Sequence, residues 1–186
     1  MTSKSDRFDL MEIVASDGCV QLLHPFLYRP GTEMYQTEVI EETGIPKTRA
    51  IRLLKQLTGY RILEERERAG CRFYRAAVDN PVIRQLKILL MVTRLYELTL
   101  EYSGHGIEMF LFGSSAKGED TNDSDIDLLI VSSATGDTIK KLIGKVKNNL
   151  MREVNPVVYT PLEYANLCNK EKTFYDQLER YKIRVL

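Results

Sequence analysis

The chain has 186 residues, 44% of them hydrophobic, with 26 basic and 26 acidic side chains and no net charge, enough for one large or two small globular domains. Both signs are balanced through Asp79 and after it, so neither half is a bulk polyanion binder and any nucleic-acid surface must be a local patch. Cys19, Cys71 and Cys168 are scattered with no C-x-x-C pair, and His24 and His105 stand alone, which excludes a disulfide framework or a zinc ligand set.

Met1 to Asp6 is polar and reads as a frayed end. Leu10, Met11, Ile13 and Val14 predict a short helix that breaks near Asp17-Gly18. Val20 to Tyr28 is a second helix or a turn, disturbed by Pro25, and Arg29-Pro30-Gly31 is a loop. Gln36 to Thr43 is a compact helix with Gly44 at its C′ position. Pro46 opens the next helix, which presents Ile51, Leu54 and Leu57 on one face and ends at Thr58-Gly59. Ile62–Arg68 and Cys71–Val78 then read as two strands around the turn Ala69-Gly70.

Helix, tight turn, helix and hairpin in this order, over Arg7 to Asp79, resemble the winged helix-turn-helix of bacterial and archaeal regulators. The resemblance implies DNA contact. Lys47, Thr48, Arg49, Arg52 and Lys55 would face outward from the second helix, and Arg68 and Arg72 would lie at the hairpin tip. Glu38, Glu41 and Glu42, with Glu64, Glu65 and Glu67, oppose a polyanion and leave protein binding as the alternative.

Asp79-Asn80-Pro81 punctuates the chain. The helical pattern from 81 to 102 carries apolar residues on more than one face, which predicts burial on several sides and a connection between two domains, 1–79 and 80–186. Packing against a second copy makes a homodimer the expected assembly. Ile107–Phe112 is a strand, Thr138–Leu150 a lysine-rich helix, and Met151–Tyr159 a strand that Pro156 places at an edge or bulge. Thr160-Pro161-Leu162-Glu163 has the form of a capping box. A helix over Lys172–Arg180 and a short strand in Tyr181–Leu186 close the chain.

The chemistry concentrates in Met109–Val131. An apolar strand breaks at Gly113-Ser114, a second break follows at Gly118, and a polar stretch leads through Ser124 into a strand carrying Asp125 and Asp127. Alternate residues of a strand share a face, so these two carboxylates lie side by side. A hard divalent cation relieves their repulsion, and such cations keep substrate phosphates as further ligands. Glycine lets backbone N–H groups approach a phosphate. The residues alone therefore predict a metal-assisted nucleotide site.

Gly113-Ser114, Lys117-Gly118 and Ser124-Asp125-Ile126-Asp127-Leu128 resemble the signature of polymerase-β-type nucleotidyltransferases, in their minimal branch. The resemblance implies an α+β protein whose C-terminal α/β core holds a small mixed sheet. It implies Mg²⁺ or Mn²⁺ on Asp125 and Asp127, and a nucleoside triphosphate, ATP in the first instance, on Gly113, Ser114, Lys117, Gly118 and Ser124. A toxin-type protein partner is an expected acceptor. Family members carry a third carboxylate on the next strand, where this chain has Asn155; Glu153 is the nearest acid that could substitute. Two functions follow: transfer of a nucleoside monophosphate, or a DNA-binding regulator whose nucleotidyltransferase-like domain is inactive and senses nucleotide or dimerises. No leader or membrane-spanning run is visible, so a cytoplasmic protein is expected.

Overall fold

The computed structural model describes residues 9–121 and 123–186. The polar segment Met1–Asp6, Arg7, Phe8 and Asn122 lie outside the described residues. The chain divides into two compact units, Met1–Ile83 and Arg84–Leu186.

The first unit contains α1 (Leu10–Ala15), α2 (Cys19–Tyr28), β1 (Met34–Tyr35), α3 (Gln36–Thr43), α4 (Lys47–Gly59), β2 (Leu63–Arg68) and β3 (Cys71–Ala76). Its strands form an antiparallel sheet in the order β1-β3-β2. Pro25 sits inside α2 without ending it, because that helix buries Leu22, Leu23, Phe26 and Leu27. Tertiary packing here outweighs the local cost of proline. Gly44 closes α3 at φ 65°. Helix α4 runs through Thr58-Gly59 rather than stopping before it, and buries Ala50, Leu53, Leu54 and Leu57 against the unit's core. Ile51 is only half-buried.

Helix α5 (Pro81–Thr99) continues as a 3₁₀ turn (Leu100–Tyr102). Of the sides on which burial is expected, the one carrying Leu89 and Tyr96 is open in the single chain: Leu89 is 61% exposed, and Tyr96 and Leu100 are exposed as well. Its buried side carries Leu95 into the core of the second unit.

The second unit continues with β4 (Ile107–Phe112), α6 (Gly113–Lys117), β5 (Ile126–Ser132), α7 (Gly136–Leu150), β6 (Val154–Tyr159), α8 (Pro161–Ala165), α9 (Leu167–Lys170), α10 (Lys172–Tyr181) and β7 (Ile183–Arg184). Its mixed sheet has the order β6-β5-β4-β7. The β4–β5 and β4–β7 pairs are antiparallel, while β5 and β6 are parallel and joined through α7. Pro156 lies on β6 at the sheet edge, where its missing donor costs least. Met151 is not in that strand; it caps α7 at φ 51°.

The two sheet faces divide by strand parity. Leu128 and Ile130 of β5 pack with Ile139, Leu142, Val146 and Leu150 of α7. Leu129 and Val131 point the other way, to Leu167 and Leu178, with Phe110, Phe112, Val157 and Tyr159 around them. Each fully buried leucine contributes about 1.5–3 kcal/mol relative to exposure. The capping box at Thr160 and Glu163 is formed, with Thr160 Oγ1 accepting from Glu163 N at 3.2 Å.

The three thiols are free, Cys71 and Cys168 exposed and Cys19 buried. Burial pushes the Cys19 thiol up to about 11. A thiol in that state is a poor nucleophile. Alkylation of the native protein at neutral pH should therefore modify Cys71 and Cys168 and spare Cys19 until denaturant is added. Mass spectrometry showing Cys19 labelled as fast as the other two would contradict this packing of α2.

Candidate functional site

Asp127 is the second residue of β5, and Asp125 immediately precedes that strand. By parity both fall on the face that carries Leu129 and Val131, at the end where the apolar layer stops. Asp125 is exposed and Asp127 half-buried. In the parallel β5–β6 register Asp127 stands opposite Asn155. The Asn155 amide donates to Asp125 Oδ2 at 3.0 Å and, at a longer 3.4 Å, to Asp127 Oδ1. One neutral amide thus bridges the two like charges.

In the antiparallel β4–β5 register Phe112 stands opposite Asp127, so the next residue, Gly113, begins its turn against that carboxylate. Gly113 has φ +70°, and a Cβ there would lie 2.0 Å from Asp127 Oδ2. No other residue fits in both respects. The Gly113–Lys117 segment is a short helix, α6, rather than an open turn, because Gly118 caps it at φ 67°. A Cβ on Gly118 would meet the Arg84 carbonyl oxygen at 2.3 Å. Ser114 is half-buried at the start of α6. The exposed Lys117 lays its ammonium over the Tyr181 ring, 4.6 Å from the centroid.

The loop between α6 and β5 is held by three charged side chains that sequence reasoning did not single out. Lys87 of α5 is 6% exposed. It donates to the carbonyls of Gly118 at 3.0 Å and Asp120 at 2.5 Å, and pairs with Asp120 Oδ1 at 3.0 Å. Arg152 meets Asp120 Oδ2 at 2.8 Å and donates to the Ser124 carbonyl at 2.5 and 3.0 Å. The Ser124 hydroxyl accepts from Thr121 N at 2.8 Å, so this residue braces the loop as well as preceding Asp125. A buried charge is tolerated when it is paired and its remaining donors are used, and here both conditions hold.

Glu153 does not take the third acidic position: its carboxylate pairs with Lys147 at 2.7 Å, and Asn155 holds the place beside the aspartates. Among the described residues no three side chains of the His, Cys, Asp or Glu type come together as a metal cluster. The donor set at the motif is two carboxylates and one amide. That set suits a hard cation of the Mg²⁺ or Mn²⁺ kind, which takes few protein oxygens and completes its shell with water or phosphate.

In the first unit the candidate cations are not alike. Lys47, Thr48, Arg52 and Lys55 of α4 are exposed. Arg49 instead turns back to Asp17, Nη1 to Oδ2 2.6 Å, with its Nε buried. Arg68 pairs with Glu33 at 3.1 Å and lies over the Phe73 ring, and Arg72 approaches Glu65 at 3.7 Å. Of these candidates, Lys47, Arg52 and Lys55 share the exposed side of α4.

Asp120 is the shared partner, so removing it leaves the buried Lys87 ammonium and the Arg152 guanidinium without their carboxylate. Asp120→Leu should cost about 3–5 kcal/mol. Adding Lys87→Met to it should cost much less than the sum of the two single changes. Denaturant titration of the three variants reads this coupling directly, and strict additivity would refute it.

No curated protein sequence matches the chain. Among the solved structures that overlap parts of it are three of low identity. The antimony-specific transcriptional repressor AntR is 21% identical, with 50% of this chain and 92% of that one covered at a TM-score of 0.40. A toxin–antitoxin structure with AMP-PNP is 21% identical, covering 51% and 72% at 0.37. A possible transcriptional regulator from Methanosarcina mazei Go1 is 15% identical, covering 56% and 97% at 0.34. Residues 93–183, the stretch that holds Gly113, Asp125, Asp127 and Asn155, match the family model of the nucleotidyltransferase domain.

Proposed function

We propose that the second unit binds a nucleoside triphosphate with Mg²⁺ or Mn²⁺ and transfers its nucleoside monophosphate to an acceptor hydroxyl. The observation that carries this reading is the packing of Gly113 against Asp127, with Asp125 alongside and Asn155 bridging the pair. Asp125 and Asp127, with the Asn155 carbonyl after an amide turn, would hold the cation. A bound cation supplies charge neutralisation for the triphosphate and for the leaving pyrophosphate. Gly113 would let the triphosphate approach the backbone, Ser114 would offer a hydroxyl, and Lys117 a positive charge near the phosphates. In the transfer, the acceptor oxygen bonds to the α-phosphorus and gives up its proton to solvent water, the bond from the α-phosphorus to the oxygen shared with the β-phosphate breaks, and pyrophosphate leaves with that oxygen. An amide cannot take the acceptor's proton. Asn155 therefore leaves that proton to solvent water, which slows turnover.

The first unit we read as a winged helix whose α4 contacts DNA through Lys47, Thr48, Arg52 and Lys55. Exposure of these groups, opposite a face that buries Leu53, Leu54 and Leu57, supports it.

Two measurements test the reading. With ATP labelled at the α-phosphate and Mn²⁺, label should pass to the protein or a co-purified partner, and Asp125→Asn/Asp127→Asn should abolish both nucleotide binding and label. Asn155→Asp should bind Mn²⁺ about tenfold more tightly, because a third carboxylate replaces an amide that donates to the other two. Unchanged nucleotide affinity in the double aspartate variant would remove the basis for the site. On the DNA side, Arg52→Ala/Lys55→Ala should lower the slope of log affinity against log salt by about two. A gel shift on DNA upstream of the gene that is insensitive to this change would exclude α4 as the contact.

A further inference from the structure

Beside the carboxylate site lies a pocket of about 380 Å³ that shares Gly113 and Lys117 with the proposed phosphate contacts and is otherwise unused by them. Its wall includes Gly113 and Lys117 on one side and Phe174, Gln177, Arg180 and Tyr181 of α10 on the other. Gly113 is the seam between the two places. The Asp127 carboxylate crowds the position its Cβ would take, and its backbone also borders the pocket. Parity puts Asp125, Asp127 and Asn155 on the same sheet face as Phe110, Phe112 and the core beneath α10. A nucleotide whose phosphates lie at Gly113 can therefore extend along that face without crossing the sheet.

The chemistry of the wall is selective. Phe174 and Tyr181 offer flat apolar surfaces one helical turn either side of Gln177 and Leu178. Stacking on such rings is tolerant of base identity but favours the larger ring system. Gln177 has an amide able to donate and accept at once, the pattern that meets the N6/N7 edge of adenine, and Arg180 has the donors that meet O6/N7 of guanine. The N7 acceptor is common to both purines. Lys117, whose ammonium lies over the Tyr181 ring, lines the pocket together with Gly113.

The geometry points to this pocket as a purine-base subsite of the nucleotide site, with Tyr181 and Phe174 as the stacking surfaces and Gln177 and Arg180 reading the N7 edge. The inference rests on the proposed nucleotide reading and adds the base specificity to it.

Calorimetry on the full chain with the Mg²⁺ complexes of ATP, GTP, CTP and tripolyphosphate separates the two. ATP or GTP should bind about tenfold more tightly than CTP and tripolyphosphate. Tyr181→Ala should remove most of that advantage while tripolyphosphate still binds, which also shows that the variant is folded. Gln177→Ala, at an exposed position, should bring ATP toward CTP without affecting tripolyphosphate. Equal affinity for ATP, CTP and tripolyphosphate would overturn the base subsite and leave the phosphate–metal reading intact. So would purine affinities untouched by both changes. Failure of every probe, tripolyphosphate included, would instead overturn the nucleotide reading itself, and the subsite with it.

Discussion

Two carboxylates side by side at the start of a strand repel each other, and the second unit is arranged around answering that repulsion. The answer in the structure is Asn155, whose amide donates to both Asp125 and Asp127. It reaches them because β5 and β6 run parallel with Asp127 opposite Asn155. The antiparallel register of β4 with β5 ends at Phe112 and Asp127, which delivers Gly113 to the same place. A one-residue slip in either pairing would turn the carboxylates to the wrong face or put a side chain where Gly113 must be. The apolar layers on both sides of β5 make such a slip costly, since they would exchange Leu128 and Ile130 with Leu129 and Val131. The hydrophobic pattern therefore fixes the position of the polar site.

The loop that feeds the site is anchored by a different kind of interaction. Residues 118–124 have little apolar surface to bury, and they include backbone carbonyls that need donors. Lys87 supplies donors at Gly118 and Asp120, and Arg152 does so at Ser124. Asp120 satisfies both cations. The arrangement fixes the loop at its start and just before Asp125. Positioning a carboxylate within a fraction of an ångström calls for supporting contacts of this kind.

Local signals were legible in the sequence and distant ones were not. Gly44, the Thr160 capping box and the strand limits at Ile107–Phe112 each follow from residues within a turn or two, and each is where the sequence puts it. The motif around Asp125 and Asp127 was legible because its residue types and spacing are rare. Lys87 was hidden because a lysine in a helical pattern normally reads as solvated, and its partner Asp120 is 33 residues away. Arg49 was misplaced for a similar reason: its periodicity puts it outward, yet Asp17, from another helix's edge, draws it in. The exposed Leu89 and Tyr96 show the limit of reading apolar residues on a helix as buried ones. Glu153 shows that proximity in sequence does not settle an ion pair, since Lys147 at the end of α7 competes for it.

The amide at position 155 has a consequence for how such a site would work. Three carboxylates meeting at one point depend on cations for their stability, and the empty arrangement resists folding. Two carboxylates that accept from one amide do not carry that dependence, because the amide already offsets part of their repulsion. On the proposed function, a cation that takes both aspartates would have to displace the amide donors from them. An asparagine can do this by turning its carbonyl inward, which converts a donor to the anions into an oxygen ligand for a cation. Exchange between those two orientations costs the Asp125 and Asp127 hydrogen bonds and returns a cation contact. Cation and nucleotide binding at this place would then be coupled through a single side-chain rotation on β6, a strand at the sheet edge whose Asn155 is exposed.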